Sequence, residues 1–433
     1  MLGALLLAGA ASLQARADAL AKQTLAEAPA AGATVGVEFK GKVLVRGYGF
    51  ADLELKAPAT PATVYRIGSL TKQFTAAAIL QLVDEGKLRL DQGLSELLPE
   101  FPLQGHSVTL AQLLSHTSGI PNYTALGPRF RSRAREDFTP KGLLEIFAGA
   151  PFAFEPGTKW GYSNSNYHLL GMILENATGE TYAAHLRRAV FPKAGLTSTT
   201  YCDDKALIPG RATGYATRGK EFQHAEFLSM TIPFAAGGLC STAGDLLRWA
   251  RALESGKVVS PASYQRMTTP QPPSDRYGFG LAMHEENGRR VVAHGGAVNG
   301  FGSTLSRYPS EDLTIAVLSN TEGDAADTLG ERVARAALGV PEPQVRDLPV
   351  DVETRKRCAG VYETKSKLRI AVGAREGKLE LHPEKDPSDS TPMLFQGGSD
   401  FVLQGSSRHV LCSEGKLCLG DGRNCEVELT KAE

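Results

Sequence analysis

Segments rich in β-branched and aromatic residues lie near both ends of residues 30–338 and predict strands there. Near the start, residues 34–39 and 43–48 flank Lys40-Gly41-Lys42, a sequence typical of a hairpin. Near the end, Asn287-Gly288 is typical of a type I′ turn between two strands. The strands predicted in this later part cover residues 277–284, 289–294, 301–308 and 313–320, and a helix is predicted at 325–338.

Between these strands the apolar pattern is helical. Residues 70–85 contain no Gly or Pro, and Gly86 follows where a helix C-cap is expected. Their apolar positions cover nearly every face, which predicts a helix buried in the middle of a domain. Further helices are predicted at 110–115, 141–148, 167–177 and 243–254. The whole pattern predicts an α+β domain at 18–338, whose antiparallel sheet collects the first and last segments and whose helical part lies within about 88–270.

Residues 339–433, at the C-terminal end of the chain, have a different sequence pattern. Residues 339–350 contain three prolines and predict a linker. Short β-prone runs separated by turns over 351–433 predict a small all-β, barrel-like C-terminal domain.

The N-terminal residues predict a signal peptide at 1–17 and therefore a periplasmic or secreted protein. The apolar run at 2–11 is too short to span a bilayer, and Ala15-Arg16-Ala17 fits the small-x-small cleavage pattern. Asp18 would then begin the mature chain, and no membrane anchor would remain. Because no basic residue precedes Arg16, a start upstream of Met1 or an amphipathic N-terminal helix is the alternative.

Composition excludes several classes of protein. With 42% hydrophobic and 22% charged residues, the 433-residue chain is neither wholly disordered nor a polytopic membrane protein. Its 47 basic and 47 acidic residues cancel, so there is no net field to attract nucleic acid.

Six cysteines are compatible with an oxidising compartment. Cys202 can pair with Cys240, and two of the four C-terminal cysteines can form another disulfide; buried free thiols are the alternative. A zinc site is disfavoured because the Cys418–Cys425 region has neither Cys-x-x-Cys nor a histidine at ligand spacing.

Candidate chemistry begins at Ser69-Leu70-Thr71-Lys72. Residues three apart lie on one helix face, close enough for an amine to accept a hydroxyl proton. Burial in an apolar helix lowers the pKa of a lysine, which makes a neutral general base. The helix N-terminus also directs backbone N–H groups towards Ser69, where an oxyanion would form. A helix cap beside a surface lysine is the structural alternative.

Two further segments carry suitable groups. In Tyr162-Ser163-Asn164 a phenol can relay protons, and an amide can bind a substrate carbonyl and the lysine. For Ser163 and Asn166, capping of the next helix is the preferred interpretation.

The segment His294-Gly295-Gly296 ends a predicted strand, and its two glycines let a substrate approach the sheet edge closely. The backbone N–H of Ala297 can then join that of Ser69 as an oxyanion donor. We expect His294 to face the nucleophile and to donate to a substrate carboxylate or take part in proton relay.

In this order, the three motifs resemble those of the penicillin-recognising serine hydrolases. The resemblance covers about residues 30–338 and is nearest to the group containing class C β-lactamases, D-Ala-D-Ala carboxypeptidases, D-aminopeptidases and related esterases. It implies an α/β domain joined to an all-helical domain, with the site between them. It also implies acylation of Ser69, proton handling by Lys72 and Tyr162, and removal of the acyl group by water.

The resemblance implies an amide or ester substrate of small-molecule or peptide size, and no cofactor is expected. A metal hydrolase, and with it a metal site, is disfavoured because the sequence has neither His-Glu-x-x-His nor a Cys/His ligand cluster. Lys-Thr-Gly, usual in the third motif of β-lactamases, is absent from this sequence, which favours peptide or ester substrates over β-lactams. A carboxylesterase of the same type and a catalytically silent penicillin-binding or sensor protein are the alternatives. His116-Thr117-Ser118-Gly119 resembles a recurring loop of the family and is interpreted as structural.

Overall fold

A computed structural model describes residues 2–219, 221–364, 369–375, 377–387, 390–404, 406, 408–420 and 425–432. The chain divides into two compact units. The larger comprises Ala31–Ala216 and His224–Gly330, and the smaller comprises Met1–Ala30, Thr217–Gln223 and Glu331–Glu433.

Strands of the described residues up to the end of the larger unit are, in chain order, β1 (Gly32–Phe39), β2 (Lys42–Asp52), β3 (Ala57–Pro58), β4 (Tyr65–Arg66), β5 (Thr200–Tyr201), β6 (Tyr215–Arg218), β7 (Glu221–His224), β8 (Leu239–Ser241), β9 (Ala282–Glu286), β10 (Arg289–Val298), β11 (Phe301–Tyr308) and β12 (Leu313–Ser319).

The helices of the described residues are α1 (Leu2–Glu27), α2 (Thr71–Asp84), α3 (Leu94–Leu97), α4 (Leu110–Leu114), α5 (Pro128–Arg131), α6 (Pro140–Phe147), α7 (Asn164–Thr178), α8 (Tyr182–His185), α9 (Phe234–Gly237), α10 (Ala243–Glu254), α11 (Pro261–Met267), α12 (Ala325–Leu338) and α13 (Val352–Cys358). No helix in this part of the chain combines the length and the hydropathy needed to cross a membrane.

The main sheet of the larger unit is antiparallel and has the strand order β3-β2-β1-β12-β11-β10-β9. Its first and last long segments pair at the centre, with Val35 opposite Val317. A Cβ added to Gly36 of β1 would lie 3.3 Å from Ala243 Cβ in α10, so this helix packs closely on the sheet. The predicted α+β class, with the first and last segments in one antiparallel sheet, is confirmed.

Helix α2 is buried on all sides, as its apolar pattern predicts. Every residue from Thr71 to Leu82 is buried. Phe74 stacks on Trp249 of α10 with ring centroids 3.9 Å apart. Because α2 is enclosed by protein, any polar group on it must find its partners inside the protein.

Three differences from the predicted element boundaries concern segments of the candidate site. Strand β10 continues four residues beyond His294, where the predicted strand ends, because Gly295 and Gly296 pair with Thr304 and Ser303 of β11. Helix α7 begins at Asn164 rather than at Tyr167. Strand β9 begins at Ala282, after a single isolated bridge between Tyr277 and Ala282.

The smaller unit contains a closed barrel made of the strands β13 (Gly360–Glu363), β14 (Arg369–Arg375), β15 (Lys378–Pro383), β16 (Thr391–Gly397), β17 (Asp400–Leu403), β18 (His409–Ser413), β19 (Lys416–Gly420) and β20 (Cys425–Lys431). The prediction of a small all-β tail is confirmed. The side chains of Leu379, Phe401 and Leu417 are fully buried and belong to its hydrophobic core. Disulfides join Cys358 to Cys412 and Cys418 to Cys425.

Helix α1 runs without a break through the cleavage position expected before Asp18. Ala17 and Ala21 on this helix are buried. Arg332 of α12 donates to Thr24 Oγ1 and forms an ion pair with Glu27. The C-terminal part of α1 is therefore a packed element of the smaller unit.

Candidate active site

Ser69 lies in a single 3₁₀ turn, Gly68–Leu70, that leads directly into α2. Gly68 has φ +48°, a left-handed conformation that favours glycine. A Cβ at Gly68 would lie 2.8 Å from the backbone nitrogen of Ala297 in β10. The absence of a side chain at this position lets the turn carrying Ser69 approach the sheet edge.

Lys72 lies one turn further along α2 and is fully buried. Its Nζ lies 3.1 Å from Ser69 Oγ, and it donates to Asn164 Oδ1 at 2.8 Å and to the carbonyl oxygen of Ala236 at 2.8 Å. None of these partners is a carboxylate, and burial holds the pKa of Lys72 well below its usual value. A neutral amine has two N–H donors, which match the two carbonyl oxygens, and its lone pair remains for the Ser69 hydroxyl.

Tyr162 approaches Ser69 from the loop before α7. Its hydroxyl donates to Ser69 Oγ at 2.8 Å, and its ring centroid is 4.7 Å from Lys72 Nζ. Burial raises the pKa of Tyr162, so the phenol is protonated at neutral pH. Asn164, the first residue of α7, brings its side-chain oxygen to the same amine. The structure therefore brings the first two predicted motifs together around Ser69 Oγ.

The third motif lies on β10. His294 is 8% exposed. Its Nε2 is 3.0 Å from the Tyr277 hydroxyl, and its Nδ1 is 2.6 Å from the carbonyl oxygen of Gly295. Burial, together with the nearby Lys72, lowers the pKa of His294 to about 4. The ring is thus neutral at neutral pH and has hydrogen-bond partners at both nitrogens; its centroid is 6.4 Å from that of Tyr162.

Two adjacent glycines on β10 have different steric surroundings. A Cβ at Gly296 would lie 2.1 Å from the carbonyl oxygen of Ile67 and 3.1 Å from the backbone nitrogen of Ser69. At Gly295 the nearest such atom would be 3.8 Å away. Close approach at Gly296 packs β10 against the turn carrying Ser69. This packing puts the backbone amides of Ser69 and Ala297 in neighbouring segments.

Sequence reasoning did not identify Tyr277 as part of this site, and it interpreted His116 only as structural. The Tyr277 hydroxyl is hydrogen-bonded to His294 Nε2, and the Tyr277 ring centroid is 4.9 Å from that of His116. His116 lies 4.5 Å from Tyr162 by the same measure. The His116-Thr117-Ser118-Gly119 motif was visible in the sequence, but nothing in its spacing indicated this neighbourhood.

The expectation that Ser163 and Asn166 cap the next helix is not met by their side chains. Ser163 occupies the N-cap position of α7, but its hydroxyl makes no capping bond. Asn166 accepts from Ser118 Oγ at 2.6 Å, and its Nδ2 is 3.3 Å from His116 Nδ1. Both residues instead belong to the polar surroundings of His116.

A disulfide supports the turn that carries Ser69. Cys202, the residue after β5, is bonded to Cys240 in β8, with a Cα–Cα distance of 5.1 Å. Strand β8 pairs with β4, which ends at Arg66, just before that turn. The pairing of Cys202 with Cys240, one alternative compatible with the sequence, is the one formed.

Comparison with known proteins identifies the family. The sequence model described as beta-lactamase matches residues 17–339. The chain belongs to the beta-lactamase family. Among curated relatives of this beta-lactamase family protein, a D-aminopeptidase from Gluconobacter oxydans is 31% identical over 340 residues, which are 77% of this chain and 64% of the relative.

Solved structures support the same fold. A D-stereospecific amidohydrolase from a Streptomyces species has 27% sequence identity and a TM-score of 0.64, covering 76% of this chain and 99% of that one. The octameric penicillin-binding protein homologue from Pyrococcus abyssi has 23% identity and a TM-score of 0.67, covering 96% of this chain and 99% of that one. The second likeness shows that the fold of this family member, including the C-terminal region, has a precedent.

Proposed function

We propose that this protein is a serine hydrolase that forms an acyl-enzyme on Ser69 with D-amino-acid amides or peptides. The observation that carries the proposal is the position of Ser69 Oγ, 3.1 Å from Lys72 Nζ and 2.8 Å from the Tyr162 hydroxyl. A serine is a weak nucleophile unless a base removes its proton, and a neutral amine at this distance is such a base.

In the proposed reaction, the neutral amine of Lys72 accepts the Ser69 proton as Oγ bonds to the substrate carbonyl carbon. The negative charge on the carbonyl oxygen is bound by the backbone N–H groups of Ser69 and Ala297. When the C–N bond breaks, the proton passes from Lys72 through Tyr162 to the leaving amine. Water then attacks the ester carbon on Ser69 and gives its proton to the same relay. The bond between that carbon and Ser69 Oγ breaks, Oγ recovers a proton from the relay, and the acid is released. Asn164 holds Lys72 and the substrate carbonyl.

The substrate class is inferred from two supports. One relative named above is a D-aminopeptidase and one solved structure is that of a D-stereospecific amidohydrolase, although this chain spans only 64% of the D-aminopeptidase. In addition, the third motif presents neutral His294 and Gly295, so it supplies neither an ammonium nor a hydroxyl for a substrate carboxylate. This favours substrates that are uncharged on the leaving-group side of the scissile bond over β-lactams and carboxypeptidase substrates.

We also propose a periplasmic or secreted location. All six cysteines are disulfide-bonded, and such bonds persist in oxidising compartments. The apolar run and the Ala15-Arg16-Ala17 site provide a route of export. The intact mass of the exported protein tests this, because cleavage after Ala17 leaves Asp18 as the first residue.

A fluorophosphonate probe and a stereochemically paired substrate panel test the proposed activity. We expect the wild-type protein to be labelled on the Ser69 peptide, and Ser69→Ala to remain unlabelled. With D- and L-aminoacyl p-nitroanilides, we expect kcat/KM to be at least about tenfold higher for the D series, a difference of about 1.4 kcal/mol in transition-state binding.

Other outcomes distinguish the alternatives. Turnover of p-nitrophenyl esters and of no other substrate would identify the protein as a carboxylesterase. Labelling of Ser69 without turnover of any substrate would identify the protein as a catalytically silent penicillin-binding or sensor protein. Equal labelling of Ser69→Ala would refute the nucleophile, and efficient penicillin hydrolysis would refute the inference drawn from His294 and Gly295.

A further inference from the structure

His116 is held in an unusual backbone conformation beside the candidate site. It follows α4 with φ +60°, a left-handed conformation disfavoured for a residue with a side chain, and it is fully buried. Its ring packs among those of Tyr162, Tyr167 and Tyr277, with centroid distances of 4.5, 5.1 and 4.9 Å. The enclosing contacts therefore fix both the backbone and the ring.

His116 binds the backbone on both sides of Tyr162. The N–H of Gly161 donates to the carbonyl oxygen of His116 at 2.9 Å. The N–H of Ser163 donates to His116 Nδ1 at 3.2 Å. Since the ring of His116 also packs on that of Tyr162, a single residue fixes the two peptide groups and the ring that direct the Tyr162 hydroxyl to Ser69.

The hydrogen bonds also define which ring nitrogen carries the proton. Asn166 Oδ1 accepts from the Ser118 hydroxyl, so the Asn166 Nδ2 group faces His116 Nδ1 as a donor. Nδ1 thus accepts from two N–H groups and carries no proton, which puts the proton of the neutral ring on Nε2. That buried Nε2 has no hydrogen-bond partner among the described residues. Packing alone gives no reason to keep an unpaired polar atom there, whereas the two N–H groups that face Nδ1 need an acceptor at that position.

We propose that His116 is a positioning residue that holds Tyr162 in hydrogen-bond reach of Ser69 through the two flanking peptide groups. It acts through Tyr162 and does not touch the substrate. The proposal rests on the proposed function in one respect, that Ser69 is the nucleophile.

Two substitutions of the same shape separate the acceptor from the volume it occupies. Asn and Leu branch at the same atom, and Asn Oδ1 is as many bonds from Cα as His Nδ1. His116→Asn keeps an acceptor for Ser163 and also tolerates the left-handed conformation. His116→Leu removes the acceptor. The readout is the rate of fluorophosphonate labelling of Ser69, resolved into its maximal rate and its half-saturating probe concentration, and normalised to the titratable fraction of sites.

We expect His116→Leu to lower the maximal labelling rate about 100-fold, which is the scale of effect for a displacement of about 1 Å in a catalytic group. The half-saturating concentration should change less than about threefold, because the probe does not contact His116. His116→Asn should recover most of the rate. In a Tyr162→Phe background, His116→Leu should have less than a threefold effect, because the hydroxyl that His116 positions is absent.

His168 provides the matched control. It is fully buried in α7, and its Nε2–H donates to the Pro140 carbonyl oxygen at 2.7 Å. Its Nδ1, like Nε2 of His116, has no hydrogen-bond partner among the residues that the structure describes. We expect His168→Leu to lower thermal stability while changing the normalised labelling rate less than threefold.

Three results would overturn the role of His116: equal losses with and without the Tyr162 hydroxyl, an Asn variant as slow as the Leu variant, or failure of both variants to fold. If neither variant folds, His116 is required for folding and not for positioning Tyr162. Failure of the wild-type protein to label at Ser69 would instead overturn the proposed function itself, so the two failures are distinguishable.

Discussion

At the scale of single residues, the centre of the site is an amine enclosed by protein without a counter-ion. Burying an unpaired ammonium costs several kcal/mol, and loss of the proton avoids this cost. The two carbonyl oxygens that Lys72 contacts can be satisfied by an uncharged amine. The polar groups around Lys72 are therefore arranged for a base and not for an ion pair.

The pH dependence of acylation follows from this environment. Only the neutral form of Lys72 can accept the Ser69 proton, so kcat/KM should fall about tenfold per pH unit as pH drops below the pKa of Lys72. Because burial lowers that pKa well below 10.5, we expect activity to be retained at neutral pH, where an ordinary lysine is protonated. The facing groups do not titrate near neutrality, since burial raises the pKa of Tyr162 and lowers those of His116 and His294.

The measurement is the pH profile of kcat/KM with an uncharged substrate. Lys72→Arg is the control, since a guanidinium stays protonated at every accessible pH and should give no activity in any part of the profile. A wild-type profile that rises only near pH 10.5, or an active Lys72→Arg variant, would contradict a neutral lysine base.

At the scale of elements, the site depends on how closely a 3₁₀ turn approaches the edge of the sheet. The turn Gly68–Leu70 meets β10 at two glycines, Gly68 and Gly296, whose missing side chains leave room for the opposite backbone. The sequence indicated close approach at His294-Gly295-Gly296 but predicted that the strand ends there. Pairing with β11 extends the strand instead, and only one of the two glycines on β10 is required by the packing.

This difference predicts that two neighbouring substitutions will change the free energy of unfolding by very different amounts. Gly296→Ala would put a Cβ 2.1 Å from the Ile67 carbonyl oxygen, and we expect it to lower the free energy of unfolding by about 2 kcal/mol or more and to abolish most labelling of Ser69. Gly295→Ala meets no atom closer than 3.8 Å, and we expect its free energy of unfolding to change by less than about 1 kcal/mol. Urea denaturation of both variants, with labelling of Ser69, measures the difference. Similar destabilisation of the two variants would show that close packing at Gly296 is not the cause.

At the scale of the whole molecule, all residues of the site belong to the larger unit. The disulfide between Cys202 and Cys240 closes a loop with a sequence separation of 38 residues within that unit. Cross-linking a loop of this length restricts the unfolded chain and stabilises the folded state by about 2–4 kcal/mol. The bond also secures β8, the strand that pairs with the segment before Ser69.

Replacing both Cys202 and Cys240 with Ala should therefore lower the urea midpoint for loss of Ser69 labelling, by an amount equivalent to about 2–4 kcal/mol. Labelling in the absence of urea should persist, because neither cysteine contacts Ser69, Lys72 or Tyr162. The matched control replaces Cys418 and Cys425, whose disulfide lies in the smaller unit. We expect that control to leave the labelling midpoint unchanged, and an equal shift in both double variants would contradict the assignment.

Local sequence patterns were enough to predict the fold class, the buried helix α2, the hairpin turns and the β-rich tail. These features follow from local patterns: apolar spacing, turn residues, and residues three apart on one helix. The motifs of Ser69, Tyr162 and His294 were also visible, together with the amine expected beside Ser69.

Only the tertiary structure decided how those groups are held. Lys72 meets the carbonyl oxygen of Ala236, 164 positions away in the chain, and His116 meets the N–H of Ser163, 47 positions away. The hydrogen bond between the Tyr277 hydroxyl and His294 Nε2 likewise depends on the tertiary structure. Such contacts depend on packing between distant segments, and no local pattern specifies which buried partner each polar atom will find.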